Sequence, residues 1–133
     1  MRTAKNREQF TPFSLWLQEY CRSDLSITNL DFVIEDYKQK KLMLLEEKQY
    51  DGKLHNAQML TFDVLDYTCT KAAEKKGYDY WGFFLLRMPF NASMVGPGIK
   101  LNEKVITVEQ LQRHINFEAK AVDRYEFPWM SKT

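Results

Sequence analysis

The sequence predicts an α/β fold in which helices cover both faces of a mixed β-sheet, and three observations carry that prediction. Two strand-like runs, Asp31 to Tyr37 and Lys41 to Tyr50, stand close enough together to form a hairpin. A long stretch of helical periodicity separates this pair from Tyr78 to Met88, which is aromatic and apolar throughout, as a strand covered on two faces must be. Helical patterns open and close the chain, so the elements run helix, hairpin, long helix, strand, short strand, helix.

Each element has a local cause. Thr11-Pro12 supplies an N-cap and a proline at the first helical position, and Phe13, Trp16, Leu17 and Tyr20 recur at i, i+3, i+4 and i+7, which predicts a helix over roughly residues 12 to 22. Lys38-Gln39-Lys40 separates the hairpin strands. If the loop is an even one such as Gln39-Lys40 alone, Asp31 faces Lys48 and lies diagonal to Glu46. Asp51-Gly52 reads as a turn. Leu54, Ala57, Thr61, Phe62, Leu65, Cys69 and Ala72 then mark the apolar stripe of a helix from Leu54 to about Lys76, ended by Gly77. Pro89 stops the next strand, which belongs near the middle of the sheet. After a loop holding Asn91 and Pro97-Gly98, Ile99 to Ile106 supplies one or two short strands. Thr107-Val108-Glu109-Gln110 is a capping box for a helix to about Phe117. The last dozen residues read as irregular, with Phe127 and Trp129 tucked back against the core. No repeat or linker interrupts the chain, so residues 1–133 are expected to form one domain.

Composition narrows the function. Nineteen basic and 18 acidic residues leave a net charge of +1, so no global basic field draws in nucleic acid and any such contact needs a local patch. Lys38, Lys40 and Lys41 at the hairpin tip are the densest one, with Lys53, Lys71, Lys75, Lys76 and Arg87 scattered elsewhere. No window is apolar enough to span a bilayer and the stretch Met1 to Gln9 lacks a signal-peptide core, so a soluble, cytoplasmic protein is expected, with no membrane partner. Cys21 and Cys69 lack framework spacing and read as free thiols in a reducing compartment.

The chemistry concentrates in Leu42-Met43-Leu44-Leu45-Glu46-Glu47-Lys48, where a buried apolar run passes straight into charge. A buried charge is tolerated when it is paired or bound to a metal. Strand alternation puts Leu42, Leu44, Glu46 and Lys48 on one face and Met43, Leu45 and Glu47 on the other. With Asp31 on the hairpin partner, two carboxylates and an ammonium converge. That donor set suits a hard divalent cation, Mg²⁺ or Mn²⁺, whose remaining positions go to water and phosphate oxygens, and it implies metal-assisted hydrolysis of a phosphodiester. Competing chemistries lack a motif: no Cys/His cluster has zinc spacing, no Gly-rich phosphate loop appears, and no Gly-x-Ser-x-Gly elbow occurs. His55, at the start of the long helix, either touches substrate or is a surface helix-start residue, and His114 reads as filler of an amphipathic helix.

Asp31, fourteen intervening residues and then Glu46-x-Lys48, with the aspartate and the Glu-x-Lys on paired strands, resembles the PD-(D/E)XK nuclease superfamily. The similarity spans roughly residues 13 to 90, and the chain is similar in size to small phage or mobile-element members. It implies a restriction-endonuclease-like fold with an αβββαβ-type core. It also implies metal-binding roles for Asp31 and Glu46, a catalytic role for Lys48, and a variable middle place for Glu47, which would lend a backbone carbonyl. Leu30 stands where the motif name has proline. Glu19 resembles the helix glutamate that many members, the archaeal Holliday-junction resolvases among them, aim at the metal, or it is a solvated helix charge. Gln58, a polar residue in the apolar stripe of the long helix, resembles the glutamine of the exonuclease-like and resolvase-like branches, although Phe62 stands where one branch carries tyrosine. Asp36 has the wrong strand parity to replace Asp31. What the resemblance implies is a DNA endonuclease acting through metal-activated water, on duplex or branched DNA, and often as a homodimer. The alternative is a noncatalytic nucleic-acid-binding or assembly module that keeps the fold.

Overall fold

A parallel strand pair needs a connection long enough to cross one face of the sheet, and a helix between the two strands supplies it. The computed structural model describes residues 11–25, 27–89 and 94–128. Over them the chain forms α1 (Pro12–Tyr20), β1 (Phe32–Asp36), β2 (Lys41–Gln49), α2 (Asn56–Lys76), β3 (Asp79–Met88), β4 (Lys100–Leu101), β5 (Lys104–Val105) and α3 (Val108–Ile115). The strands make a five-stranded mixed sheet in the order β1-β2-β3-β4-β5, with β2 and β3 parallel across α2 and the other neighbours antiparallel. β3 is the middle strand, buried from Trp81 to Leu86 as its lack of a polar face requires.

The local signals act where the sequence has them. Thr11 Oγ1 accepts the Ser14 amide at 3.1 Å ahead of Pro12. Gly77 ends α2 at φ 75°, a left-handed turn that suits glycine. Thr107 Oγ1 accepts the Gln110 amide at 3.0 Å while Gln110 Oε1 accepts the Thr107 amide at 2.8 Å, the expected capping box of α3.

Helices cover both faces. On one, Leu44, Phe83 and Leu85 pack against Phe62, Met59 and Cys69 of α2. On the other, Met43, Leu45, Trp81, Phe84 and Leu86 pack against Leu111 and Ile115 of α3. α1 buries none of its residues. Phe13 and Trp16 stack with ring centroids 6.0 Å apart, and Trp16 leans on Tyr20. Among the described residues no helix is long and apolar enough to cross a membrane.

The structure corrects the hairpin. It turns through four residues, Tyr37 to Lys40, because Asp36 Oδ1 gathers the amides of Lys38 and Gln39 at 3.1 and 3.0 Å and Lys40 takes φ 56°. The register moves by two residues and keeps the faces. Phe32 pairs with Leu45, so Asp31, just before β1, lies opposite Glu46 rather than Lys48. A second correction concerns the strands ahead of α2. Among the described residues there are two, not the three of an αβββαβ core. The stretch before Asp31 carries Arg22, Ser23, Asp24, Thr28 and Asn29; Leu25 and Ile27 stay exposed, and Leu30 packs on the α2 layer. With so little apolar alternation to bury, it adds no strand and leaves β1 at the sheet's edge.

The buried stripe of α2 is also rotated from the expected one. Leu65 and Ala72 are exposed, while Phe62, Asp66 and Ala73 are buried. Asp66 sits in the apolar layer, 2% exposed, because donors meet it there. Its Oδ1 accepts from the Tyr80 hydroxyl (2.7 Å), the Phe83 amide (3.1 Å) and Arg124 Nη2 (2.7 Å). Burial, followed by the hydrogen bond to Asp66, pushes the Tyr80 phenol far above its ordinary range. Arg124 reaches this carboxylate across Gly82, which stands at φ +119° beside a register shift between β2 and β3. A Cβ there would lie 2.6 Å from Arg124 Cβ. The final segment therefore closes β3 beyond the short β4. The Tyr125 amide donates to the Phe83 carbonyl at 2.9 Å, and Asn102 bridges the Leu85 amide and the Asp123 carbonyl, both at 2.8 Å. Phe127 is buried against Phe83 and Tyr125 as expected, whereas Trp129 and Asn91 lie outside the described residues.

His114 is core rather than surface filler. Fully buried, its ring meets Trp81 and Phe84 edge-on, and Nδ1 accepts the Ala121 amide at 3.0 Å. Burial foremost, then the nearby Lys120, lowers its pKa to about 4. Cys21 and Cys69 are free thiols, each half-buried, and burial pushes the Cys69 thiol up.

Removing the cation from the Asp66 latch should be costly. Arg124→Ala is expected to lose about 2 kcal/mol, less than for a fully buried pair because the guanidinium is a third exposed. Gly82→Ala, which forces a side chain into both positive φ and Arg124, should lose roughly 3 kcal/mol. Urea midpoints at pH 7 measure both, and an unchanged midpoint for Arg124→Ala would show that the latch contributes nothing.

Candidate active site

Alternation along β2 settles which of its side chains meet. Leu44 belongs to the α2 layer and Leu45 to the α3 layer, so Glu46 and Lys48 project toward α2 while Glu47 projects the other way. Glu46, 4% exposed, is the one buried charge of the strand's end. Opposite it, Asp31 completes a reciprocal clasp: the Asp31 amide donates to Glu46 Oε1 at 3.1 Å, and the Glu47 amide donates to Asp31 Oδ2 at 2.9 Å. Lys48 Nζ stands 3.6 Å from Glu46 Oε2, its side chain 22% exposed. Asp31 itself is exposed. The structure thus brings together Asp31, Glu46 and Lys48, the three residues on which the phosphodiester chemistry was argued.

The electrostatics of this clasp are unbalanced. Burial first, and then the neighbouring Asp31 carboxylate, raises the Glu46 carboxyl from its ordinary 4.5 to about 7, against the opposing pull of the Asp31 amide and the Lys48 ammonium. One amine faces two carboxylates. A cation placed between them would relieve their repulsion, and the donor chemistry fits a hard one, since Mg²⁺ binds through one or two carboxylates and keeps water on its other positions. Glu47 adds a main-chain oxygen. Its amide points toward Asp31, and because the N–H and C=O of a strand residue face the same edge, so does its carbonyl.

Among the described residues, the other expected residues make no hydrogen bond or ion pair with Asp31, Glu46 or Lys48. Glu19 is exposed on α1, and no group of three or more His, Cys, Asp or Glu able to hold a metal occurs among the described residues, so Glu19 does not join Asp31 and Glu46. Gln58 has a different task. Half-buried at the third position of α2, its Oε1 accepts the His55 amide at 3.1 Å and caps the helix start. His55 is exposed at the N-cap, and Asp36 serves the hairpin turn, away from the clasp.

Arg87 was read as one of the scattered basic residues and Gly52 as a turn residue, neither as a neighbour of Lys48. Arg87 is the β3 neighbour of Lys48, and its Nη1 gathers carbonyls of the turn that follows β2, Gln49 at 3.1 Å and Gly52 among them. A polar residue near the end of an otherwise apolar strand was the available signal for Arg87, since a buried strand end admits a charge only with partners.

Glu46 should leave a mark on stability. Its folded pKa is raised, so the folded chain holds an extra proton between about 4.5 and 7; that stabilisation is full below pH 4.5 and is lost as pH rises through 7. His114 acts the other way, its contribution full above 6.5 and lost as pH falls through about 4. Glu46→Gln removes the first effect and keeps the second. The difference in urea midpoint between wild type and Glu46→Gln should therefore change steadily between pH 4.5 and 7, and a flat difference would contradict the raised carboxyl.

No family model, no curated protein and no solved structure matches the chain, so the case for this site rests on the geometry of Asp31, Glu46 and Lys48.

Proposed function

We propose that this chain is a metal-dependent nuclease that hydrolyses phosphodiester bonds of DNA, by preference within the strand. The observation that carries the reading is the meeting of Asp31 and Glu46 across β1 and β2, with the Lys48 amine 3.6 Å from Glu46. The α/β sheet is compatible with a restriction-endonuclease-like fold. An aspartate opens one strand, Glu-x-Lys lies on its hairpin partner, and a crossover helix leads into a parallel neighbour. Among the described residues the chain has no third strand before β1, where an αβββαβ core has one.

In this reading Asp31 and Glu46, with the Glu47 carbonyl, hold Mg²⁺ or Mn²⁺. The bound cation supplies neutralisation of phosphate charge and activation of water. Lys48 orients the nucleophile and offsets charge developing on the phosphoryl oxygens. Asp31 keeps Glu46 turned toward β1 through its amide, and Gln58 accepts the His55 amide at the start of α2. With a net charge of +1, affinity for DNA without the cation should be modest and strongly weakened by salt.

One observation favours a second reading, a noncatalytic DNA-binding or assembly module. Asp31 Oδ2 and Glu46 Oε1 already accept backbone amides, as carboxylates with a purely structural task do.

Incubation of the purified protein with plasmid, linear duplex and branched DNA separates the two. Nuclease action predicts Mn²⁺-dependent cleavage of at least one substrate, and Lys48→Ala should slow it at least about a hundredfold. No cleavage of any substrate, together with no calorimetric heat on adding Mn²⁺, would leave the module standing.

A further inference from the structure

Lysine is a poor catalytic group unless something holds it. Its four-carbon stem is flexible, and fixing it costs about 2 kcal/mol of rotamer entropy. Among the described residues Lys48 makes one ion pair, 3.6 Å from Glu46 and too long for a strong hydrogen bond, so its stem must be held by packing. The packing surface is the turn that follows β2. Gly52 donates its amide to the Gln49 carbonyl at 2.9 Å, which closes the turn beside the lysine stem. A Cβ at Gly52 would lie 3.2 Å from Lys48 Cβ and 3.4 Å from Lys48 Cδ.

The turn in turn is held by Arg87. Its Nη1 donates to the carbonyls of Gln49 at 3.1 Å, Tyr50 at 3.4 Å and Gly52, while its Nε forks onto the Glu103 carboxylate at 2.9 and 3.0 Å. The arginine side chain is 13% exposed. Arg87 also pairs in register with Lys48 on β2, so the two side chains leave the same face of neighbouring strands. A planar guanidinium can gather several carbonyls that a single ammonium cannot.

We propose that Arg87 is a positioning residue for Lys48: by gathering the carbonyls of the turn it sets Gly52 against the lysine stem and so holds the amine at Glu46. The kinetic consequence rests on the nuclease reading; the positioning itself does not. Arg87→Met removes the donors and keeps the bulk of the stem. Gly52→Ala leaves Arg87 in place and crowds Lys48 directly, at a glycine whose φ is ordinary.

Two measurements on the full chain test the proposal. In NMR spectra, the nuclear Overhauser contact between Gly52 Hα and the Lys48 side chain should vanish in Arg87→Met. In Mn²⁺-dependent DNA cleavage, Arg87→Met and Gly52→Ala should each lower kcat about tenfold to a hundredfold with KM unchanged, and neither should slow cleavage further in a Lys48→Ala background. A retained Gly52–Lys48 contact in Arg87→Met overturns the proposal. So does a kcat loss that persists in full alongside Lys48→Ala. If Arg87→Met does not fold, Arg87→Lys, whose single ammonium cannot gather the three carbonyls, carries the same outcomes. If the wild type cleaves no DNA while the contact still disappears in Arg87→Met, the positioning stands and the nuclease reading falls.

Discussion

The parallel pairing of β2 with β3 is the constraint on which the rest of the structure depends. Strands that run together end together, so Glu46 and Lys48 on one and Arg87 on the other leave the sheet at the same side. Open α/β sheets place their ligands beyond the carboxyl ends of such strands, because there the chain turns into loops and leaves a crevice. Parallel pairing also demands α2 as the crossover, and α2 covers the face onto which Glu46 projects. Had β2 and β3 been joined as a hairpin, Lys48 and Arg87 would not stand side by side.

Two buried carboxylates share that face and have opposite fates. Asp66 receives a hydroxyl, an amide and a guanidinium on one oxygen, each within 3.1 Å. Glu46 receives one amide at 3.1 Å and an ammonium at 3.6 Å, and it faces a second carboxylate. The first arrangement is closed. The second retains lone pairs and an imbalance of charge, the condition under which a carboxylate could take a cation. The contrast comes from position, since Asp66 is met by the returning end of the chain and Glu46 lies where β1 has just ended.

What could be read from the sequence is what short range decides. Thr11-Pro12, Gly77 and the Thr107–Gln110 box mark their helices because the capping groups sit within four residues of the backbone they satisfy. Asp31, Glu46 and Lys48 were legible as one face because strand parity survives any shift by two. The hairpin register was not, since Asp36 chose a four-residue turn through hydrogen bonds that alternation does not reveal. Asp66 was counted out of the α2 stripe because its cation lies in a segment with no regular pattern of its own. Gln58 was read as polar within the α2 stripe, and the bond that holds it there, to the His55 amide, is local to the helix start.

The latch that Arg124 makes has a consequence for how the molecule comes into being. Asp66 meets its guanidinium 58 positions further along the chain. During synthesis on the ribosome, α2 and β3 emerge well before that partner exists, with a naked carboxylate facing the apolar layer and the outer rim of β3 unclosed. A chain ending shortly before Arg124 would therefore leave Asp66 without its guanidinium and β3 without the Tyr125 amide.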